Sequence, residues 1–270
     1  MAIVNDCDSK FTAVTSSPMH LPIPFNPVPL KHRGPTALLT ALPTVLPTAL
    51  LTALLLMTTV GAVDARALAP HLQAQLDAAV IDHESGHRAR AQRAFESLAR
   101  QGVAAAQYNL AVMHLNADLP HASRQRGVEL LRRAARGGFI TAQLLLGRAL
   151  ENGEFGPRDL KQAHQWYEVA AEGGSVEAQV AMGTAHYLGR GLAQDPQRAV
   201  HWFREASKGG DVGAMYLLAS MYEQGDGVQP DLRLARYWYG LAGQAGDPAA
   251  KVKALDLQRK LETPAPTAPP

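Results

Sequence analysis

Residues 178–213 read AQVAMGTAHYLGRGLAQDPQRAVHWFREASKGGDVG, and residues 214–249 read AMYLLASMYEQGDGVQPDLRLARYWYGLAGQAGDPA. The two segments share one pattern of small, aromatic and glycine residues, and each is 36 residues long. The pattern continues toward the N-terminus, where it marks the repeats 106–141 and 142–177. A fixed period of a few tens of residues is typical of a chain built by stacking one small unit on the next.

Each repeat begins with a predicted helix, helix A. In the third repeat Ala178, Met182 and His186 follow one another at steps of four, and the small residue Gly183 comes directly after Met182. Steps of four place side chains on one face of an α-helix. The helix ends at the turn Gly189-Arg190-Gly191, because glycine readily adopts the positive φ that such a turn requires.

A second predicted helix, helix B, completes each repeat. It begins after an aspartate that suits an N-cap, as at Asp195. The three tryptophans of the chain, Trp166, Trp202 and Trp238, lie on successive B helices and are 36 residues apart. Because they follow the repeat period, we interpret them as packing residues. The short connections between the helices predict antiparallel helix hairpins.

The combination of A-x-x-x-L-G, G-x-G-(V/L) and D-x-x-x-A-x-x-W-(Y/F)-x-x-A resembles the Sel1-like repeat family, which is related to the tetratricopeptide repeats. The resemblance is strongest over residues 178–249 and weakest over 106–141, where Ala117 stands in place of a turn glycine. In the repeat 142–177, Phe155-Gly156 replaces the second turn glycine. The resemblance implies an all-α fold, a right-handed α-solenoid of stacked antiparallel helix hairpins with a period of 36 residues.

These observations divide the chain into three regions. Residues 1–67 form a leader, residues 68–262 form the solenoid, and residues 263–270 form a disordered proline-rich tail. The predicted units of the solenoid are a degenerate first unit 68–105, the repeats 106–141, 142–177, 178–213 and 214–249, and a capping helix 247–261. End units of a solenoid are often atypical, because one of their faces meets water instead of a neighbour.

The leader resembles a secretory signal. Residues 34–63 carry no charge, residues 31–33 before them are basic, and Ala65-Arg66-Ala67 has the small-x-small form of a signal-peptidase site. The whole uncharged run could alternatively span a membrane as an uncleaved anchor. Either Met1 or Met19 is the start of this leader. In both alternatives we expect the repeats outside the cytoplasm, as a periplasmic, secreted or membrane-anchored protein.

Charge is distributed unevenly along the solenoid. Residues 86–136 contain nine arginines and three acidic residues, whereas residues 137–232 contain seven basic and twelve acidic residues. The basic half could meet an acidic partner or an anionic surface, and the alternative is that its arginines are only the solvated faces of helices. We do not expect nucleic acid as a partner outside the cytoplasm. Because Cys7 is the only cysteine, no disulfide is expected in the repeats.

One short motif has the pattern of a catalytic metal site. His83-Glu84-Ser85-Gly86-His87 has the H-E-x-x-H pattern, in which two histidines one helical turn apart bind zinc and the glutamate acts as general base. The repeat register places this segment in the turn between two helices, where the imidazoles do not share one helical face. We therefore interpret the match as a coincidence and expect no metal, no cofactor and no enzyme activity. A hydrolase, for example one that uses this segment with zinc, is the alternative.

The face of helix A opposite the core would line the concave groove of the solenoid, by analogy with stacked helix hairpins. Three of the four repeats carry a tyrosine on that face, and tyrosine is enriched in binding hot spots. The favoured function is an exported scaffold or adaptor that binds a protein or peptide in this groove. The predicted partner-binding residues are Tyr108, Arg148, Glu151, Thr184, Tyr187, Tyr216, Ser220 and Glu223.

Overall fold

The structure is a computed structural model that describes residues 68–262, and this part of the chain contains eleven helices and no strand. The predictions for the leader and the tail lie outside the described residues. None of the helices within 68–262 combines the length and the apolar character that crossing a membrane requires. In chain order the helices are α1 (Pro70–Glu84), α2 (Arg88–Arg100), α3 (Ala104–Leu115), α4 (Arg124–Arg136), α5 (Ile140–Asn152), α6 (Leu160–Glu172), α7 (Val176–Leu188), α8 (Pro196–Lys208), α9 (Val212–Gln224), α10 (Leu232–Gln244) and α11 (Pro248–Glu262).

Each helix packs mainly on the helices directly before and after it in the chain. The A helices of the four repeats are α3, α5, α7 and α9, and the B helices are α4, α6, α8 and α10. Helices α1 and α2 form a hairpin ahead of the repeats, and α11 packs on α10 after them. Contacts that are concentrated between neighbouring units are the defining property of a solenoid, so the predicted fold class is confirmed.

Polar side chains begin the B helices at the predicted positions. Oδ1 of Asp195 accepts a hydrogen bond from the backbone amide of Arg198 at 3.0 Å. Asp159 and Asp231 cap α6 and α10 in the same way, and Ser123 caps α4 in the divergent first repeat. These bonds satisfy backbone amides that have no partner inside the first turn of a helix.

Small residues let the two helices of a hairpin approach closely. A Cβ atom on Gly183 would lie 2.7 Å from the ring of Phe203, so the glycine leaves room for that ring. Phe203 is 1% exposed, and Trp202 before it is also buried, whereas Trp166 and Trp238 are half-buried against the core. The tryptophans are packing residues, but the aromatic residue that follows each of them lies deeper in the core.

Candidate partner-binding surface

The predicted partner-binding residues all lie on the A helices α3, α5, α7 and α9. We call the surface that these residues form the A-helix face. Seven of the eight residues are partly or fully exposed, and Tyr108 is the exception among them. The structure therefore keeps most of the predicted residues accessible, and the environment of each one decides what it can do.

Tyr108 is buried, which corrects its prediction as a contact residue. It is 2% exposed, and its ring centroid lies 5.0 Å from that of Phe139. Phe139 is the N-cap residue of α5, a position that Ser175 and Asp211 occupy in the following repeats. The first repeat therefore exchanges a polar cap for an aromatic ring that packs on Tyr108. Comparison of these three cap positions in the sequence was the signal that could have revealed the burial.

Glu151 is held by two partners rather than standing free on the A-helix face. Its Oε2 accepts a hydrogen bond from the hydroxyl of Tyr167 at 2.7 Å, and its Oε1 lies 3.3 Å from Nη2 of Arg190. Burial, together with the bond to Glu151, raises the pKa of the Tyr167 hydroxyl above its ordinary value. The carboxylate thus connects both helices of its own repeat to the turn of the next one.

Glu223 repeats this arrangement two repeats later. Its Oε2 accepts a hydrogen bond from the hydroxyl of Tyr239 at 3.1 Å and lies 3.1 Å from Nζ of Lys253 on α11. Burial raises the pKa of the Tyr239 hydroxyl above its ordinary value, and the nearby Glu223 charge raises it further. The tyrosines and cations were not predicted, although a glutamate followed by a tyrosine 16 residues later occurs in both repeats.

Two aromatic side chains give the A-helix face an apolar region. Tyr187 and Tyr216 are each half-buried and pack against the core of the C-terminal repeats. The ring of Tyr187 lies 6.5 Å from that of Phe203, edge to face, and the ring of Tyr216 lies 5.1 Å from that of Tyr239. We call Tyr187, Tyr216 and the half-buried Val180 the aromatic patch. Anchored rings with one open side are well suited to contact a partner.

The remaining predicted residues are polar groups on the A helices α5, α7 and α9. Nη2 of Arg148 lies 2.8 Å from Oε2 of Glu177, and both side chains are well exposed. An exposed pair of this kind contributes little to stability, so a partner can displace it at low cost. Thr184 and Ser220 are half-buried, and the hydroxyl of Ser220 accepts a hydrogen bond from Gln224 Nε2 at 3.2 Å.

The H-E-x-x-H segment does not form a helical metal site. His83 and Glu84 end α1, Gly86 has a φ of +80° in the turn, and His87 is the N-cap residue of α2. Nδ1 of His87 lies 2.9 Å from Nη2 of Arg90. Residues 68–262 hold no group of three or more histidine, cysteine, aspartate or glutamate side chains that could bind a metal ion. The two imidazoles therefore lie on different elements, and the arrangement of a zinc-dependent hydrolase is not present at this segment.

Three histidines lie in the interior of the repeats. His114 and His186 are buried at the predicted interior position of helix A, and His164 is buried on α6. The backbone amide of Ser123 donates to Nδ1 of His114 at 3.2 Å. Burial lowers the pKa of all three imidazoles below the ordinary value, so the neutral form is the one that the fold favours. We assign them a packing role.

Fold and surface together define a class of protein: a helix-hairpin solenoid with an accessible face on its A helices. A family model described as Sel1 repeat matches residues 104–139, 140–175, 176–211 and 212–247. The chain therefore belongs to the Sel1 repeat family. Solenoids of this family are generally scaffolds for protein interactions and are typically not enzymes.

Solved structures of Sel1 repeat proteins are similar to this chain. The crystal structure of c5321, a protective antigen present in uropathogenic Escherichia coli strains that displays an SLR fold, is 26% identical with a TM-score of 0.61. That comparison covers 70% of this chain and 45% of c5321, so the chain spans less than half of that protein.

Two smaller proteins are also similar to the chain. A Sel1 repeat protein from Oxalobacter formigenes is 34% identical with a TM-score of 0.46, over 48% of this chain and 98% of that one. A Sel1 repeat protein from Klebsiella pneumoniae subsp. pneumoniae is 23% identical with a TM-score of 0.41, over 69% and 93%. A comparison with curated proteins gave no match.

Proposed function

We propose that this protein is an exported scaffold or adaptor that binds a peptide or protein segment on the A-helix face. The observation that carries the proposal is the aromatic patch, in which Tyr187 and Tyr216 are anchored on the core but remain partly open. Anchored tyrosines offer contact area at a small cost in conformational entropy. Thr184 on α7 and Ser220 on α9 are half-buried and supply hydroxyl groups for hydrogen bonds to a bound backbone.

Export is the second part of the proposal. It is supported by the uncharged run 34–63, the basic residues before it and the Ala65-Arg66-Ala67 sequence after it. Mass spectrometry of the protein from the periplasmic fraction measures its N-terminus directly. We expect a mature chain that begins near Leu68, and a chain that stays in the cytoplasm would contradict export. An intact leader in the membrane fraction would replace cleavage by the anchored alternative.

The basic half of the solenoid supports an acidic partner. All nine arginines of residues 86–136 are exposed, so this half of the solenoid presents a surplus of positive charge to solvent. A surface with one dominant sign of charge attracts an oppositely charged partner and accelerates its association. A hydrolase is not proposed, because the H-E-x-x-H segment runs across the end of a helix and a turn.

Peptides selected from a displayed library against the purified protein test the A-helix face. We expect the double variant Tyr187→Ala with Tyr216→Ala to lower their affinity by about tenfold or more, the effect of removing hot-spot residues. Tyr237→Ala is the matched control, because Tyr237 is a 56% exposed tyrosine on the B helix α10. Thr184→Arg is a second variant, because it obstructs the patch without removing an aromatic core contact. Equal affinities of the wild type, Thr184→Arg and the double variant would refute the proposal.

A further inference from the structure

The turn between α5 and α6 differs from the equivalent turns of the later repeats. Phe155 occupies the position of Gly191 and Gly227, one and two repeats further on. Those two glycines have φ values of +74° and +68°, whereas among residues 68–262 Ala117 is the one non-glycine residue with a positive φ, so Phe155 follows a different path. The divergence therefore changes the shape of the turn as well as its sequence.

In the regular repeats this turn lies directly on the B helix of the preceding repeat. A Cβ atom on Gly227 would lie 2.3 Å from the carbonyl oxygen of Pro196, the first residue of α8. A Cβ atom on Gly191 would lie 2.8 Å from Cε1 of His164 on α6. No room remains between turn and helix at either place. The second turn glycine is thus what allows the turn to close on its neighbour.

In the repeat 142–177, which has Phe155 at this position, the turn leaves a hollow against α4. The hollow has a volume of about 750 Å³. It is lined by Arg124, Gln125, Val128, Glu129 and Arg132 of α4 and by Glu154, Phe155 and Gly156 of the turn. The guanidinium of Arg124 stands 5.4 Å from the centre of the Phe155 ring, and its Nη2 donates to the carbonyl oxygen of Glu154. Phe155 therefore forms one wall of the hollow and holds Arg124 against it.

The charged groups at this hollow leave one cation available. Glu129 is paired with Arg133, with Nη2 and Oε1 2.5 Å apart. Arg132 is exposed, and no acidic side chain of residues 68–262 forms an ion pair with it. A guanidinium group binds a carboxylate through two parallel hydrogen bonds. Phe155 and Val128 beside it offer apolar surface to a neighbouring side chain of the same ligand.

We propose that this hollow binds an acidic peptide segment, with a carboxylate on Arg132 and an aromatic side chain against Phe155. The inference deepens the proposed scaffold function and rests on it, because it names the chemistry of a partner at the basic half. Glu129 and Glu154 also line the hollow, and their carboxylates can accept hydrogen bonds from the backbone amides of a bound peptide. The apolar wall likewise favours a peptide.

The test uses a fluorescent random copolymer of glutamate and tyrosine as the probe for the purified full-length protein. We expect Arg132→Ala to weaken binding about tenfold, the loss of one charge-assisted contact. Arg136→Ala is the matched control, because it removes the same charge from an exposed position of α4 that does not line the hollow. The double variant Phe155→Gly with Gly156→Leu restores the sequence of the turn found in the later repeats. In this background Arg132→Ala should no longer weaken copolymer binding, and the helical content should be unchanged.

Several results would overturn the inference. They are the absence of copolymer binding, equal effects of Arg132→Ala and Arg136→Ala, unchanged binding to the restored-turn variant, and a preference for heparin oligosaccharide over the copolymer. The Tyr187→Ala and Tyr216→Ala variant should bind the copolymer like the wild type. Failure at the hollow is therefore distinguishable from failure at the A-helix face, since each has its own probe and its own variants.

Discussion

The hydroxyl of Tyr167 donates a hydrogen bond of 2.7 Å to Oε2 of Glu151, from helix B to helix A of one repeat. Tyr239 and Glu223 form the same bond 72 residues further along the chain. The repeat between them has Phe203 in place of the tyrosine, and an aromatic contact with Tyr187 in place of the hydrogen bond. At this repeat position helices A and B are therefore joined by a hydrogen bond in two repeats and by an aromatic contact in the repeat between them.

Replacement of Tyr167 by phenylalanine tests the polar version of this closure. The ring should fit without strain, because Phe203 occupies the equivalent position in the next repeat. We expect Tyr167→Phe to lower the free energy of unfolding by about 1 kcal/mol, since Glu151 loses its hydroxyl donor and keeps only the ion pair with Arg190. Urea unfolding measures the change. The exposed Tyr237→Phe is the control, and an equal effect of the two variants would show that the bond contributes nothing.

Ala117 is held in a backbone conformation that suits glycine. Its φ is +58°, and Gly153, Gly189 and Gly225 occupy the same position in the later repeats with φ values from +67° to +79°. A side chain in the left-handed region costs roughly 1–2 kcal/mol, and a glycine at this position relieves that strain. Part of the relief is offset because glycine has greater conformational freedom in the unfolded chain. We expect Ala117→Gly to raise the free energy of unfolding by about 1 kcal/mol. Gly153→Ala should change it in the opposite direction, and a destabilised Ala117→Gly would contradict the argument.

The fold could be predicted because its determinants recur at a fixed spacing. Helix boundaries follow from caps such as Asp195 and from turn glycines such as Gly189, and both act through local backbone hydrogen bonds. The packing of Phe203 against Gly183 likewise depends on residues of one hairpin. Contacts of this range repeat with the sequence, so the period alone indicates them.

The candidate site was predicted only in part, because its environment depends on residues that do not repeat. Tyr108 shares a helical position with Leu144, Val180 and Tyr216, but it is buried because Phe139, the N-cap residue of α5, packs on it. The hollow at Phe155 also arises between two repeats, where one turn fails to close on a neighbouring helix. A helix face that is assigned from the sequence of that helix alone does not reveal contacts with residues of other elements.

The three buried histidines predict how stability depends on pH. Burial lowers the pKa of His114, His164 and His186 below the ordinary value of 6.5. The unfolded chain therefore binds protons at these positions at pH values where the folded chain does not, so the free energy of unfolding is greatest above about pH 6.5 and decreases as the pH falls below it. His164→Val, which copies Val200 of the next repeat, should make this decrease shallower.

Thermal unfolding from neutral to mildly acidic pH measures the slope. His121→Val is the control, because His121 is exposed in the loop before α4 and its replacement should leave the slope unchanged. A slope that is equally steep for the wild type and for His164→Val would contradict a contribution of the buried imidazole to the pH dependence.

Two glycines of the chain allow the backbone strain of a glycine substitution to be measured separately from the steric clash of the added Cβ. Gly227 has a φ of +68°, and an added Cβ would lie 2.3 Å from the carbonyl oxygen of Pro196. Gly246 also has a positive φ, +105°, but an added Cβ there would meet nothing within 4 Å. Gly246→Ala should therefore show the backbone cost alone, about 1 kcal/mol. Gly227→Ala adds a clash with backbone that cannot rotate away, and we expect a loss of about 3 kcal/mol or more in the free energy of unfolding. Equal losses in the two variants would mean that the turn is free to move away from α8, and the closed turn would then not be what distinguishes the regular repeats from the one that contains Phe155.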